Sequence, residues 1–356
     1  MKRFNILVAL CFLFGCISEY TPRGIEEVGG ILVVDGFITD YESVITLSRS
    51  RRLTDYDWWS VNYIFDARVY VERDDGALFP AELWSHRYVI RNGRLNPNSR
   101  YRLRIEIDEM DGISQYFSEF SYPIITPEID SVFWMRRGIG QPVTIHVATH
   151  SPDSQVLFYR WSFREDWETN SDFFHQDFPF RCWSYEYSRN ILLGSAERTI
   201  FGRVIDIIHR IYPWDRRLSV LYRIDVTQKA ISRRAHAYFE NMRRNSQQTG
   251  SIFAPIPSEL RGNIYCATDP NRYVIGYINV STTTRKRLYI WGKDGVYESG
   301  PRCHVHTLDE VCRGMDPCNP LDLGFIGVVG GFVHISCVDC TRIGSATEQR
   351  PYDWPI

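Results

Sequence analysis

Short stretches of alternating apolar and polar residues dominate the first third of the chain. Residues 101–108 read YRLRIEID, which places Leu103, Ile105 and Ile107 on one face of a strand and charged side chains on the other. Residues 31–39, 43–50 and 67–79 show similar strand patterns, separated by polar or glycine-containing turns. Because no helical period interrupts these strands, residues 31–126 are predicted to form an immunoglobulin-like β-sandwich.

Residues 127–356 are predicted to form a second β-rich domain with one helix and a cysteine-rich tail. Strand-like segments recur at residues 129–135, 142–149, 156–163 and 273–290. Apolar residues recur at helical spacing from Ala235 to Met242, so a helix is expected near residues 229–248. The fold class is therefore mainly β, with an N-terminal sandwich followed by a second β-rich domain.

The first 15 residues have the pattern of a secretory signal peptide. Lys2 and Arg3 precede an apolar run of 11 residues, which is too short to cross a hydrocarbon core of about 30 Å as a helix. The sequence Leu-Phe-Gly-Cys at residues 13–16 resembles a bacterial lipobox, in which the cysteine thiol is acylated and becomes the new N-terminus. We therefore expect lipidation at Cys16 and a tether over residues 16–30, and the alternative is a plain signal peptide with an incidental cysteine.

The near-neutral overall charge and the absence of known enzyme motifs limit the classes of function that the sequence supports. Forty-one basic and 43 acidic residues give a net charge of −2, so there is no basic field to hold a nucleic acid. The sequence has no nucleophile elbow, P-loop or dinucleotide fingerprint, and no catalysis and no cofactor are expected. Glu165, Asp166 and Glu168 could serve as the paired carboxylates that glycoside hydrolysis needs, but closely spaced acids in a polar segment are more typical of a solvated turn.

Seven cysteines remain after the signal peptide and the lipidation site are set aside, and five of them crowd the tail. An exported protein meets an oxidising compartment, so disulfides are expected among these five, and at least one of the seven cysteines stays free or pairs elsewhere. The candidates are Cys303, Cys312, Cys318, Cys337 and Cys340. A zinc site is the alternative, because residues 337–340 form a C-x-x-C motif and His304 and His306 lie near Cys303, but no metal is expected.

One aromatic segment, residues 55–63, stands between two predicted strands. It carries Tyr56, Trp58, Trp59 and Tyr63 among polar residues. Exposed aromatic clusters usually mark interfaces, so these four side chains are candidate contacts for a glycan or for a partner protein. Packing against the second domain is the alternative, because Trp and Tyr are well buried on average.

Several segments, in order along the chain, are similar to one family of Bacteroidota lipoproteins known as domain of unknown function forty-two forty-nine. They include LVVDGFIT, PEIDSVFW, YRWSFREDWE, PSELRGNIYCATDPNRYVIGY, CVDCT and PYDW. The resemblance implies an outer-membrane lipoprotein that is usually encoded beside a TonB-dependent receptor, and it implies no established activity. We therefore expect a non-catalytic accessory protein that caps this transporter or presents a glycan or peptide cargo to it. The expected location is the outer membrane, on the cell surface rather than the periplasmic face. A stand-alone glycan-binding or adhesion lipoprotein is the alternative function.

Overall fold

The structure, a computed structural model, describes residues 30–51, 60–109, 112–151, 156–199, 202–247, 261–298, 303–315 and 317–355. The first eight strands are β1 (Leu32–Thr39), β2 (Tyr41–Arg49), β3 (Asn62–Tyr63), β4 (Arg68–Arg73), β5 (Leu78–Trp84), β6 (Arg87–Gly93), β7 (Tyr101–Glu109) and β8 (Gly112–Ser118). They are followed by β9 (Ile129–Met135), β10 (Val143–His150), β11 (Phe158–Asn170), β12 (Arg181–Tyr187), β13 (Leu192–Ser195), β14 (Arg203–Ile211) and β15 (Leu221–Ala230).

The principal helix, α1 (Arg233–Gln247), follows β15. The chain continues with β16 (Ile264–Cys266), β17 (Val274–Gly276), β18 (Val280–Ser281), β19 (Thr283–Trp291), a short helix α2 (Leu308–Val311), β20 (Phe325–Val328) and β21 (Gly331–His334). Single 3-10 turns occupy Arg216–Leu218, Gly292–Asp294, Pro320–Leu323, Ile335–Cys337 and Cys340–Arg342. The predicted mainly β fold class is confirmed.

The first β unit comprises strands β1–β8 and β16–β18. Its main sheet follows the order β16-β8-β7-β4-β5-β6-β2-β1-β17, and the two end strands lie beside each other, so the sheet wraps around one core. Leu103, Ile105 and Ile107 are each at most 3% exposed in this core, as their period-two spacing predicts. Strands β16–β18 return from residues 264–281, so this unit contains two separate chain segments and not only residues 31–126.

The second β unit comprises strands β9–β15 and β19, arranged as two facing sheets. One sheet has the order β14-β10-β9, and the other has the order β12-β11-β15-β19 with β13 paired to β11. Trp161, Tyr222 and Ile290 are among the side chains that fill the core between them. Burial of these apolar side chains supplies the main driving force for stacking the two sheets.

Helix α1 begins later than the sequence predicts. Lys229 and Ala230 still pair with β11, so the predicted start near residue 229 is wrong, and the helix begins at Arg233. Ser232 precedes the helix and accepts a hydrogen bond from the Ala235 amide at 3.1 Å, as an N-cap side chain does. The prediction of one helix also missed α2, which is only four residues long.

Helix α1 packs over the junction between the two β units. Tyr238 and Phe239 are at most 5% exposed and belong to one apolar cluster with Phe37 of β1 and Phe158 of β11. No helix in the described part of the chain combines the length and the apolar character needed to cross a membrane.

Hydrogen bonds from both chain segments join the two units where the chain passes between them. The Ile38 amide donates to the Asn279 carbonyl at 3.1 Å, and the Asn279 side chain donates to the Ala230 carbonyl at 3.0 Å. The Thr126 amide donates to Thr282 Oγ1 at 2.8 Å, directly before β19 begins. These bonds connect β1, β15 and the returning segment, so no flexible linker separates the units here.

Disulfides and contacts of the last residues fix the tail of the chain against the second unit. All five predicted cysteines form disulfides, in the pairs Cys182–Cys340, Cys303–Cys337 and Cys312–Cys318. The C-x-x-C zinc alternative is therefore not formed, because its two cysteines bond to different partners. Trp354 is 5% exposed and donates to Glu168 Oε2 at 3.1 Å, which fixes the chain end against β11.

Among the described residues, Cys266 is the cysteine without a disulfide, and it is buried in the first unit. The purified, lipidated protein should therefore show one reactive thiol per chain when it is denatured without reductant, because the remaining cysteines are bridged or acylated. Alkylation followed by intact-mass measurement checks this number, and Cys266→Ser should reduce it to zero. Three or more reactive thiols in the unreduced protein would contradict the pairing.

Candidate functional site

A cleft with a volume of 720 Å³ lies between the two β units. One wall is the β1–β2 hairpin of the first unit, and the other is the face of β11, β15 and β19 that points away from the core of the second unit. We call this second wall the outer face. Pockets that bind small molecules usually have volumes of about 300 to 1,000 Å³ and often form where two units meet.

Two basic side chains stand directly opposite each other on the outer face. Arg160 of β11 and Lys229 of β15 are cross-strand partners in the antiparallel register, and both line the cleft. Within the described residues neither side chain forms an ion pair or a hydrogen bond, and Arg160 Nη1 is inaccessible to solvent. Like charges placed directly opposite each other destabilise a sheet, so this pair carries an unfavourable interaction.

The same two strands have complementary charges further along the outer face. Arg164 lies opposite Asp225, and Asp166 lies opposite Arg223. Arg223 donates to Asp166 at 2.9 Å, so the second of these pairs is an ion pair. The like-charged pair therefore occurs at the end of the ladder that faces the cleft.

Aromatic rings partly compensate the two positive charges. The Arg160 guanidinium lies 4.8 Å from the ring centre of Phe37 and 4.2 Å from that of Phe239, and Lys229 Nζ lies 4.9 Å from the ring of Phe37. Such contacts contribute about 0.5 to 2 kcal/mol each. The hydroxyl of Tyr238, on the same helix as Phe239, is also buried and has no hydrogen-bond partner among the described residues.

The surroundings of Lys229 disfavour its charged form. The pKa of Lys229 is lowered to about 8, mainly by burial and also by the charges of Arg160 and Arg285, while Asp35 opposes these effects. Burial also lowers the pKa of Arg160. A guanidinium nevertheless stays protonated at neutral pH, so both groups remain positive below about pH 8.

Acidic side chains surround this basic pair at the cleft wall. Asp35, Asp40, Glu42 and Glu128 line the cleft together with the basic residues. Asp40 accepts hydrogen bonds from the amide of Thr283 at 2.9 Å and from its hydroxyl at 3.2 Å, and is therefore occupied. The cleft thus offers unpaired cations beside carboxylates, an arrangement that suits a ligand carrying charges of both signs.

Backbone geometry fixes the hairpin wall of the cleft. Gly36 has a φ of +153°, and a Cβ atom at this position would lie 2.4 Å from the Val44 carbonyl oxygen. A larger residue at position 36 would therefore push β1 away from β2. The close approach of these strands keeps Asp35 and Phe37 opposite Arg160 and Lys229.

None of the residues predicted for lipidation or for ligand contact lines this cleft in the described part of the chain. Cys16, Tyr56, Trp58 and Trp59 lie outside the described residues, so their predicted roles stay predictions. Tyr63 lies on β3, half-buried, with its ring centre 4.6 Å from that of His86. It lines a different cleft, of 510 Å³, together with Arg49 and Asp108.

The solvated turn expected at Glu165, Asp166 and Glu168 is wrong. These residues belong to β11 and are at most 6% exposed, because each carboxylate has a basic partner that satisfies it. Glu165 accepts hydrogen bonds from Arg217 at 2.7 Å and from the Tyr222 hydroxyl at 2.6 Å. Burial opposes its ionisation, but hydrogen bonding and charge interactions with His209 and Arg217 leave the pKa of Glu165 below its usual value.

Arg160 and Lys229 were not among the predicted site residues. Each lies at an ordinary polar position of its strand, and 69 residues separate them in the sequence. Only the register between β11 and β15 shows that they face each other. The alternation of apolar and polar residues up to residue 229 indicates that Lys229 lies on a strand. It does not identify Arg160 as the residue opposite Lys229.

The comparisons with known proteins give a family for the chain. The sequence profile of the family described as Domain of unknown function (DUF4249) matches residues 17–287. No curated protein matches the chain. The matched segment includes both walls of the cleft, except for the last four residues of β19. It ends before the tail that contains the Cys303–Cys337 and Cys312–Cys318 disulfides. Since the match covers well over half of the chain and agrees with the predicted resemblance, the protein belongs to this family of unknown function.

Proposed function

We propose that this protein is a lipid-anchored, non-catalytic accessory protein of the outer membrane that captures a peptide by its carboxylate and presents it to a TonB-dependent transporter. The observation that carries the proposal is the Arg160–Lys229 pair, two cations that form no ion pair among the described residues, in a cleft of 720 Å³. A ligand carboxylate would supply the missing negative charge.

The acidic side chains of the cleft favour a peptide over a polyanion. Asp35, Glu42 and Glu128 would repel a second or third negative charge on the same ligand. They would attract an amino group or a basic side chain placed away from the carboxylate. A short peptide carries both charges, and its backbone can also hydrogen-bond to the threonines that line the cleft.

The anchor and the transporter are supported by sequence features. The lipobox-like segment at residues 13–16 supports acylation of Cys16, and several acyl chains hold a protein stably at a membrane surface. The family resemblance supports a TonB-dependent receptor as the partner. A binding cleft in a tethered protein beside such a receptor would raise the local concentration of cargo.

A glycan-binding lipoprotein is the second candidate function. Tyr212 and Trp214 stack with ring centres 4.9 Å apart, and both are more than half exposed. Exposed aromatic rings of this kind form platforms for sugar rings. Glycan binding at these rings should not change when the charge of Arg160 or Lys229 is removed, whereas peptide capture should weaken. Substitutions at Arg160 and Lys229 therefore distinguish the two candidate functions.

Neutral substitutions in the basic pair should weaken peptide capture without destabilising the fold. A tryptic digest is passed over the immobilised protein, and captured peptides are identified by mass spectrometry. Arg160→Gln and Lys229→Met should each weaken capture about tenfold or more, because a charged hydrogen bond is lost. Methyl esterification of the digest should have the same effect, and the exposed Lys293→Met is the matched control.

Thermal unfolding of the same variants provides an independent check. Because Lys229→Met removes one partner of a repulsive pair, it should leave stability unchanged or raise it by about 0.2 to 1 kcal/mol. A clear loss of stability would show that Lys229 supports the fold. Capture that is unaffected by both substitutions and by esterification would contradict the proposed site.

Peptide affinity should fall as the pH rises above about 8. The Lys229 charge attracts the carboxylate, and its lowered pKa means that the folded, empty protein loses this charge from about pH 8 upward. An unfolded lysine stays charged to about pH 10.4, so between about pH 8 and 10.4 the unfolded chain binds more protons than the folded one. The penalty for burying the Lys229 charge is relieved across this interval, and the free energy of unfolding should rise. Affinity and stability should thus change in opposite directions, and Lys229→Met should remove both effects.

The transporter should co-purify with the lipoprotein after mild detergent extraction. We expect a barrel-sized outer-membrane partner in stoichiometric yield, and we expect Cys16→Ser to lose acyl labelling, membrane association and the partner together. A Cys16→Ser protein that still incorporates labelled palmitate would contradict the anchor. Extraction of the intact lipoprotein without any partner would favour the stand-alone glycan-binding candidate.

A further inference from the structure

A second, chemically different cluster lies in the tail, outside the segment that matches the family profile. His304, His306 and Glu310 each offer one ligand atom, and the three atoms lie within 4.8 Å of one another. The Nδ1 atom of His306 is 4.0 Å from Glu310 Oε2, and the rings of the two histidines lie 4.7 Å apart at 79°. Tetrahedral zinc sites have ligand bonds of about 2.0 to 2.2 Å, so modest side-chain rotations would bring these atoms to one ion.

The backbone that carries these ligands is fixed independently of a metal. Cys303, directly before His304, is bonded to Cys337. The His306 amide donates to the Phe332 carbonyl at 2.7 Å, and the Phe332 amide donates back to the His306 carbonyl at 2.8 Å. Gly331 permits this approach, because a Cβ atom there would lie 2.3 Å from the His306 carbonyl oxygen.

Glu310 is held by the start of the short helix α2. Its Oε2 atom accepts a hydrogen bond from the Thr307 amide at 2.8 Å, and the Glu310 amide donates to Thr307 Oγ1 at 3.3 Å. This reciprocal arrangement is a capping box, and it orients the carboxylate toward the histidine side of the helix. The second oxygen, Oε1, remains available to a metal.

From this geometry we propose that His304, His306 and Glu310 bind a divalent transition metal such as Zn²⁺. Two imidazoles and one carboxylate are a ligand set that zinc uses with water in the fourth position. His304 and Glu310 are exposed and His306 is half-buried, so the fourth position faces solvent and could accept a donor group from another molecule. The site uses no cysteine and leaves all three disulfides intact.

The test is isothermal titration of the full-length, disulfide-bonded protein with ZnCl₂, after dialysis against a chelator. The wild-type chain should bind one Zn²⁺. Glu310→Gln keeps an oxygen that can accept from Thr307, so α2 should stay capped, but it removes the charge and should weaken binding by at least about tenfold. His306→Asn should weaken binding at least as much, and His86→Asn, in the other unit, is the matched control.

A spectroscopic measurement gives the location of the ion without relying on affinity. Addition of Zn²⁺ should shift the ring NMR signals of His304 and His306 and leave those of the other seven of the nine histidines unchanged. Absence of stoichiometric binding would overturn the proposal. Binding that survives both Glu310→Gln and His306→Asn, or shifts at other histidines, would place the ion elsewhere and would also overturn it. The outcome is independent of peptide capture, because none of these residues lines the cleft.

Discussion

The arrangement of the two β units depends on the hydrogen bonds that join them at the chain crossings. Asn279 connects β1 to the end of β15 through its own carbonyl and side-chain amide, and Thr126 bonds to Thr282 directly before β19. These contacts are short and largely shielded from water, where an unpaired amide or carbonyl would cost about 1 to 3 kcal/mol. Their loss would let the hairpin wall move away from the outer face, and the cleft would lose its shape.

The cleft contains a repulsive pair of charges that lowers the stability of the empty protein and favours binding of an anion. Along β11 and β15 the charged partners match, except where Arg160 faces Lys229. Aromatic contacts and the nearby Asp35 reduce the repulsion but provide no ion pair. Such an arrangement is preorganised for an anion, because the cost of bringing the two cations together is met during folding and not at binding. A site of this kind is expected to be suboptimal for stability when it is empty.

Much of the fold could be predicted because its long strands alternate with period two. The apolar face of β7 is one example, and the buried stripe of α1 was found in the same way by its helical period. Strand β16 could not be found, and the strand-like pattern at residues 273–290 did not separate β17 and β18 from β19 or assign them to the first unit. Two or three residues carry no measurable periodicity, and the partners of these strands lie far away in the sequence. The same non-local pairing explains why the sequence does not choose the partner of Cys340, which is Cys182, 158 residues away.

The candidate site was less predictable than the fold. Its cations occupy polar strand positions that look solvated in the sequence, and only strand register makes them neighbours. The buried carboxylates of β11 show the converse effect, since Glu165 and Asp166 look solvated but are fully paired inside the protein. Charge alone therefore gives little information about burial until the partner strands are known.

Titration of Lys229 itself shows whether this side chain is a buried cation that lacks an ion-pair partner in the empty cleft. The chain has only four lysines, and Lys2 is removed with the predicted signal peptide, so NMR of lysine-labelled mature protein should give three resolvable signals. We expect a Lys229 pKa of about 8 in the empty protein and a higher pKa when a captured peptide is added. A Lys229 pKa of about 10.4 in the empty protein, unchanged by peptide, would contradict it.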